Sequence, residues 1–399
     1  MSSFSWSRLC HGTFMIFGIT VGAGMLGIPA MTADAGFYPA LFVTILVWLF
    51  MLVTGMLLLE VTFRMPSGAN VISLAKRFLG VHGQWCAGLL FFFLYGCLLV
   101  AYFSGGAPLI EQGLSFLGIQ LSAWAYKVLF ALLFGSVLYL GAHWISWVNL
   151  ILSLGMFISY GCLLYEGSSL VQMKYLAFSQ GTLAVGAIPV LFSAFGFHNV
   201  IPSLAHHLKQ DKRVLRWSLV LGTFFACLFY GIWQWLILGS VSVEALRSVR
   251  ELGLPVTYAL QQGNVYVLGQ LFAFLALTTS FLGVGFSFID FLRDGFYVAS
   301  KKNSYGTRSY GICALCTVLL PLFFVLWIPT LFEQALGIAG GFGESLLNGI
   351  LPVLLFLQMR ALCYKNKPLH VIQKSGLAFL VFLSLFVVLL ECKALFTVP

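Results

Sequence analysis

Apolar residues run along this chain in eleven long stretches, parted by short polar or basic segments. They cover residues 9–33, 37–63, 81–109, 123–142, 144–165, 183–208, 214–239, 265–292, 310–328, 331–359 and 375–392. A bilayer core takes about 20 helical residues, so the pattern predicts eleven membrane-spanning helices. Two stretches are interrupted. In the first, Gly22, Ala23, Gly24 and Gly27 crowd the middle and Pro29 follows. Glycine weakens a helix by about 1 kcal/mol relative to alanine, and an interior proline removes a hydrogen bond. The sixth carries SAFGFHNVIPSL at Ser193–Leu204, predicting a break over Phe195–Asn199. Broken backbone at membrane depth is tolerated only where protein buries it or a wet cavity receives it. Gly337–Gly343 (GIAGGFG) in the tenth stretch predicts a third break.

The connections fit this division. Asp34–Pro39 reads as a tight turn, and Ser67–Leu79 as a short amphipathic helix lying on the membrane surface. Gly105–Gly106–Ala107–Pro108 is expected to stop the third span. Gly141–Trp144 is a very short link, Glu166–Gln180 a polar loop, and a helix is expected after Ser242. A short turn around Pro329 joins spans nine and ten. Five spans per half place the second half upside down relative to the first, an inverted repeat. The repeats are residues 1–180 and 181–360, with 361–399 adding an inner loop and an eleventh span. Ile28-Pro29-Ala30-Met31 echoes Ile201-Pro202-Ser203-Leu204 beside the two breaks.

Composition agrees: hydrophobic residues are 60 % and charged ones 8 %, against about 45–50 % and 25 % in soluble domains. The net charge of +9 could signal a nucleic-acid partner, but its distribution excludes that. Sixteen of the 21 Lys and Arg, including Arg8, Lys212, Arg216, Lys301, Lys302, Lys365 and Lys367, fall on one side of the predicted topology. That is the positive-inside bias, which puts the N-terminus in the cytoplasm and the C-terminus in the periplasm. No cleaved signal is read before Arg8, so the first span is expected to remain as an anchor. Nine scattered cysteines include one CxxC, Cys313 and Cys316, read as packing rather than a metal site.

Breaking a helix frees amides at the start of its second part and carbonyls at the end of its first. The amides carry partial positive charge and suit a carboxylate. A substrate carboxylate is therefore expected against Gly24, Met25, Leu26 and Gly27, and an ammonium against carbonyls near Ile19–Gly22 and Phe192–Phe195. A zwitterionic α-amino acid fits both. Helix packing through the Gly18–Gly22 GxxxG pair is the competing reading. Tyr95 and Tyr102 on span three and Phe195, Phe197 and His198 at the second break could surround an aromatic side chain. The hydroxyls of Thr279 and Ser280, with span-one carbonyls at Val21, could hold a coupling ion, H+ or Na+. Glu60 with Arg64 and Asp290 with Arg293, read as the acids nearest the membrane, are expected to form gate or scaffold ion pairs. No Walker loop, HExxH or GxSxG is present, so an enzyme has no residues to stand on. A leucine at Gly24 is expected to abolish uptake while expression survives.

Several segments resemble the hydroxy/aromatic amino acid permease family within the amino acid–polyamine–organocation superfamily, its tyrosine-specific members above all. They are TVGAGMLGIP at Thr20–Pro29, LLLEV at Leu57–Val61, AKRFLG at Ala75–Gly80, GQW at Gly83–Trp85 and AYFSG at Ala101–Gly105. AIPVLFSAFGFHNVIPS at Ala187–Ser203, LRW at Leu215–Trp217, TSFLGVGFSFIDFLRD at Thr279–Asp294 and ALGIAGG at Ala335–Gly341 continue the series. The resemblance implies an all-α integral membrane protein of eleven transmembrane helices, a LeuT-type 5+5 inverted repeat with helices 1 and 6 discontinuous. It implies a bacterial inner-membrane permease for proton-coupled uptake of tyrosine, tryptophan or hydroxy amino acids; with the aromatic residues above, import of tyrosine first and tryptophan or phenylalanine next is expected. Carried over, Gly22, Ala23, Gly24, Met25, Leu26 and Gly27 would form the substrate site with Ser193, Ala194, Phe195, Gly196, Phe197, His198 and Asn199. Asn199 departs from the glycine of the tyrosine-specific members and adds an amide beside the pocket. Thr279 and Ser280 would match the ion-associated part of span eight.

No cofactor is expected beyond the coupling ion, and no partner beyond the amino acid and membrane lipid; the oligomeric state stays open. Sodium coupling remains an alternative, as do an amino-acid-gated channel and a sensor that binds without transport.

Overall fold

The computed structural model describes residues 5–397 except 67, 262, 301–306, 329–330 and 364–369. The expected turn at Pro329, the start of the Ser67–Leu79 helix and the inner-side lysines Lys301, Lys302, Lys365 and Lys367 lie outside the described residues. All described secondary structure is helical. The broken first span is α1 (Trp6–Thr20) and α2 (Gly24–Thr32), meeting at 56°. Spans two to five are α3 (Phe37–Thr62), α4 (Val71–Ser115), α5 (Ala123–Leu140) and α6 (Ala142–Gly167). A single turn, α7 (Met173–Leu176), precedes the divided sixth span, α8 (Ile188–Ala194) and α9 (Ile201–His207). Then come α10 (Lys212–Ser240), the outlying α11 (Val243–Glu251), α12 (Gly263–Ser300) and α13 (Thr307–Trp327). Span ten is α14 (Phe332–Ile338), a π-helix over Ala339–Ile350, and α15 (Leu351–Cys363); α16 (Val371–Thr397) closes the chain. Among the described residues, ten helices, or eleven spans with the bent pair counted as one, are long and apolar enough to cross a membrane.

Local chemistry sets many of the boundaries. Asn70 caps α4 through Ser73 N at 2.8 Å, Ser242 caps α11, and the Asp211 carboxylate accepts from Arg213 N and Val214 N to start α10. Gly141, at φ +96°, turns the chain between α5 and α6 in a conformation that side chains disfavour. The surface helix Val71–Leu79 bends at Gly80 (φ +75°) and runs on into span three.

Two expected interruptions are corrected. Gly105–Pro108 does not stop span three; α4 continues to Ser115. Its glycines serve close packing, since a Cβ at Gly105 would lie 2.9 Å from the Phe332 ring and one at Gly106 would collide with Phe130. Gly337–Gly343 likewise stays helical and widens into the π-helix. There a Cβ on Gly340 would strike the Pro189 carbonyl, and one on Gly341 would meet Glu391. Small residues here bring span ten against α8 and α16, as small faces do between membrane helices.

The spans pack in two groups. α1 and α3 lie on α10, with α2 and α8 together and α9 against α3. In the other group α12 lies on α4 and α13 on α4 and α5. The breaks of α1/α2 and α8/α9 face the second group across a cavity.

Candidate functional site

The two breaks touch. A Cβ on Gly24 would lie 2.8 Å from Ala194 Cα, so backbone meets backbone with no space for a side chain. Tyr230 of α10 joins the two frayed ends: its hydroxyl lies 2.6 Å from the Thr20 carbonyl and 2.7 Å from the Ala194 carbonyl. Trp233, one turn along, donates to the Met25 carbonyl at 3.0 Å. On the other side, the Ser280 hydroxyl accepts from Ala23 N at 2.8 Å. A side chain on Gly22 would collide with that hydroxyl. The freed backbone of span one is thus held by α10 and α12.

Beside this junction lies a cavity of about 310 Å³, at the small end of the roughly 300–1,000 Å³ usual for small-molecule sites. Val21, Gly22, Ala23 and Gly24 line it from the first break. Ser193, Ala194, Gly196 and Asn199 line it from the second, Tyr95 and Tyr102 from α4, and Thr279 and Ser280 from α12. These twelve expected residues converge on one space. Its wall is exposed at Gly18 and Ile19, on the Arg8 side of the first break, and at Gly283, in the half of α12 nearer Arg293. Toward the other end Met25–Ala30 is buried, and the mouth there is clasped. Asp34 pairs with Arg247 at 2.5 Å and Arg250 at 2.9 Å, and Arg250 also donates to the Ala30 carbonyl. Partial burial raises the Asp34 carboxyl, but bonds from Arg247 and Arg250 outweigh it and hold the group below its usual range.

Three side-chain atoms in the cavity wall are buried with no hydrogen-bond partner among the described residues: Ser193 Oγ, Asn199 Oδ1 and Asn149 Oδ1. Unpaired buried acceptors are costly, and a ligand's ammonium group would satisfy them. Tyr95 packs its ring on Phe91 and Phe288 while Asn199 Nδ2 approaches its hydroxyl at 3.5 Å. The wall offers aromatic faces and polar atoms together.

Six expected residues do not line the cavity. Met25, Leu26 and Gly27 point into the protein: Met25 N and Leu26 N bond the Gly22 and Ala23 carbonyls, and Gly27 faces Val190 and Leu336. Phe195 packs edge-on to Tyr230, and Phe197 lies on Gly55 and stacks on His198. His198 Nε2 meets Thr54 Oγ1 at 2.9 Å. The carbonyls of Thr20 and Ala194, expected to receive an ammonium, turn to Tyr230. Gly24 is also a packing residue, so a leucine there would disturb the fold and does not isolate binding.

The remaining candidates lie apart. Thr279 donates to the Leu275 and Ala276 carbonyls of its own helix, leaving Ser280 as the α12 hydroxyl that meets span one. Asp290 and Arg293 pair at 3.5 Å, as expected. Glu60, expected to pair with Arg64, carries its salt bridge to Arg216 of α10, because α3 and α10 pack side by side. At the same end Arg8 and Asp211 stand 3.8 Å apart. Gly18 has nothing within 4 Å of a built Cβ, so close packing in the GxxxG pair falls on Gly22 alone.

Glu344 and Asn348, on the π-helix, also line the cavity and were not among the expected residues. The acids nearest the membrane are therefore not Glu60 and Asp290: Glu333, Glu344 and Glu391 are all buried inside spans. An acid within an apolar stretch is the signal that finds them. Asn149, Ser153 and Met156 of α6 complete the wall, with no sequence signal beyond polarity.

The family model of the tryptophan/tyrosine permease family matches residues 6–392. The chain belongs to that family. Among its relatives, the Tyrosine-specific transport system 1 of Haemophilus influenzae is 32 % identical over 84 % of each chain. The Low affinity tryptophan permease of Escherichia coli is 28 % identical, covering 88 % of this chain and 86 % of its own. The Glutamine transporter 2 of Aliivibrio fischeri is 24 % identical over 84 % of each. This permease also shares its fold with MhsT, solved in complex with L-phenylalanine: TM-score 0.61, 14 % identity, 98 % of both chains covered. It is a multi-span transport protein of LeuT-type architecture, and no enzyme.

Proposed function

We propose that this permease imports an aromatic amino acid, tyrosine first and tryptophan or phenylalanine next, across the bacterial inner membrane by proton symport. The observation that carries this reading is the cavity where the two breaks meet, with unpaired polar atoms at Ser193, Asn199 and Asn149 between the Tyr95 and Tyr102 walls. The relatives named for tyrosine and tryptophan transport support the substrate class. The N-terminus lies in the cytoplasm and the C-terminus in the periplasm, as the basic bias requires. The cavity then faces inward, and the Asp34 clasp shuts the outer side. Residues 1–180 and 181–360 are the inverted repeats, and 361–399 lie outside them. Transport follows when the group holding both breaks rocks against α4, α5, α12 and α13. Sodium is the alternative coupling ion: Thr279 donates to its own helix and Ser280 accepts from Ala23 N, and each hydroxyl keeps a lone pair.

The test is counterflow in liposomes with labelled tyrosine, tryptophan, phenylalanine, serine and glutamine, under imposed pH or sodium gradients. Tyrosine should exchange fastest, and a pH gradient alone should drive its accumulation. Exchange of glutamine or serine with no aromatic exchange removes the substrate reading; accumulation driven by sodium alone removes the coupling reading.

A further inference from the structure

Resting on the proton-symport reading, we propose that Glu344 is the residue that carries the coupled proton. Its side chain stands near the middle of span ten and is 3 % exposed. It lines the cavity at the second break, where its carboxyl group packs against Gly196 so closely that a Cβ there would have to displace it. The other side-chain contact is neutral: Asn348, one turn along the π-helix, donates its amide to Glu344 Oε2.

Among the described residues, the side chains that line the cavity with it carry no positive charge. From α4 come Tyr95 and Tyr102, which line the same cavity. From the second break comes Asn199, while His198 turns away and is bonded through Nε2 to Thr54 on α3. From α16 comes Glu391, which lies on the neighbouring face at Gly337 and Gly341. α8 brings no titratable group, and Glu333 stands at the far end of α14, three turns away from Glu344 along the span. Glu60 of α3 and Arg360 of α15 lie near the ends of their helices, and Glu60 is taken by Arg216.

A carboxyl group in this position is ionised only while water in the cavity solvates it. An amino acid whose aromatic side chain fills the cavity displaces that water and leaves the carboxylate facing apolar rings, where charge is costly. Substrate and proton therefore favour each other's binding, and linkage makes that preference reciprocal. The loaded carrier moves with Glu344 protonated. The empty carrier returns with a water-filled cavity and an ionised carboxylate held by Asn348. Each cycle takes one proton from the side where the substrate binds and leaves it on the other.

The experiment compares wild type, Glu344→Gln and Glu344→Asp in liposomes, reading tyrosine counterflow and pH-driven accumulation separately. Proton uptake on adding tyrosine to the purified proteins is followed with a pH-indicator dye. Glutamine keeps the neutral shape, so pH-driven accumulation measured relative to the variant's own counterflow should fall by about tenfold or more, the usual span of a coupling factor. Tyrosine-linked proton uptake should occur in wild type, persist in Glu344→Asp and vanish in Glu344→Gln. If wild type exchanges tyrosine but a pH gradient drives nothing, the symport reading fails and this assignment with it. If both wild type and Glu344→Gln accumulate tyrosine on a pH gradient, proton coupling stands and Glu344 does not carry it. Loss of counterflow in a well-folded Glu344→Gln makes the residue part of substrate binding and overturns the proposal. Should Glu344→Gln fail to fold, absence of proton uptake by wild type on tyrosine addition overturns it equally.

Discussion

The two breaks are built from similar sequence and used in opposite ways. The first offers backbone: Val21–Gly24 lies along the cavity with almost no side chain, and Tyr230, Trp233 and Ser280 hold the groups the break released. The second offers side chains, with Ser193 and Asn199 turned inward and Phe195, Phe197 and His198 turned away into α3 and α10. One break is thus backbone held from behind, and the other is a bend whose large residues anchor it while its small polar ones face the cavity. Shared local chemistry does not imply shared function, because the neighbours decide which atoms remain free.

The sharpest way to break this picture is at the contact between the two. Gly24→Ala inserts a methyl group against Ala194 backbone and should cost about 1–3 kcal/mol or more, abolishing uptake. Gly18→Ala, with open space around it, should leave uptake and thermal stability unchanged; equal damage from both would refute the close approach. Next in size is Tyr230→Phe, which strands the Thr20 and Ala194 carbonyls and should cost about 1–3 kcal/mol, read as a lower melting temperature and slower uptake.

A smaller effect separates the roles within the second break. Asn199→Ala should raise the KM for tyrosine by about fivefold, the weight of one hydrogen bond of about 1 kcal/mol, with little change in stability. His198→Ala should lower stability and leave KM alone; the reverse pattern would exchange their roles. The smallest effect lies at the clasped end. A depressed Asp34 carboxyl stabilises the closed clasp above its unfolded range near pH 4 and loses that stabilisation as pH falls through the lower folded value. Asp34→Asn should therefore increase labelling of a cysteine placed at Met31 at pH 7 and match wild type only in strong acid. Unchanged labelling at pH 7 would show that apolar packing alone shuts this end.

Much of the architecture was legible because hydropathy and glycine content act locally. All eleven spans, both true breaks and the turns at Asp34–Pro39 and Gly141 follow from runs of residue types. The misread breaks were of one kind. Gly105–Pro108 and Gly337–Gly343 look like breaks and serve as contact surfaces, since glycine both weakens a helix and admits a neighbour. Only Phe332, Phe130 and Pro189, brought up from far along the chain, reveal which effect operates. The same holds for Glu60, whose partner Arg216 is 156 positions away.

The sequence by itself determined that this is an all-helical membrane protein of eleven spans, because bilayer thickness and backbone hydrogen bonding leave no other reading of such long apolar runs, whereas which glycine-rich stretches break was decided by their neighbours. It also determined the family, through fragments spread along most of its length. What tertiary structure alone decided is which freed groups are already spoken for and which face the cavity. It also decided that a π-helical turn carries Glu344 to the second break. Such choices depend on the direction of side chains across packed helices, and direction is set by contacts between segments far apart in the chain.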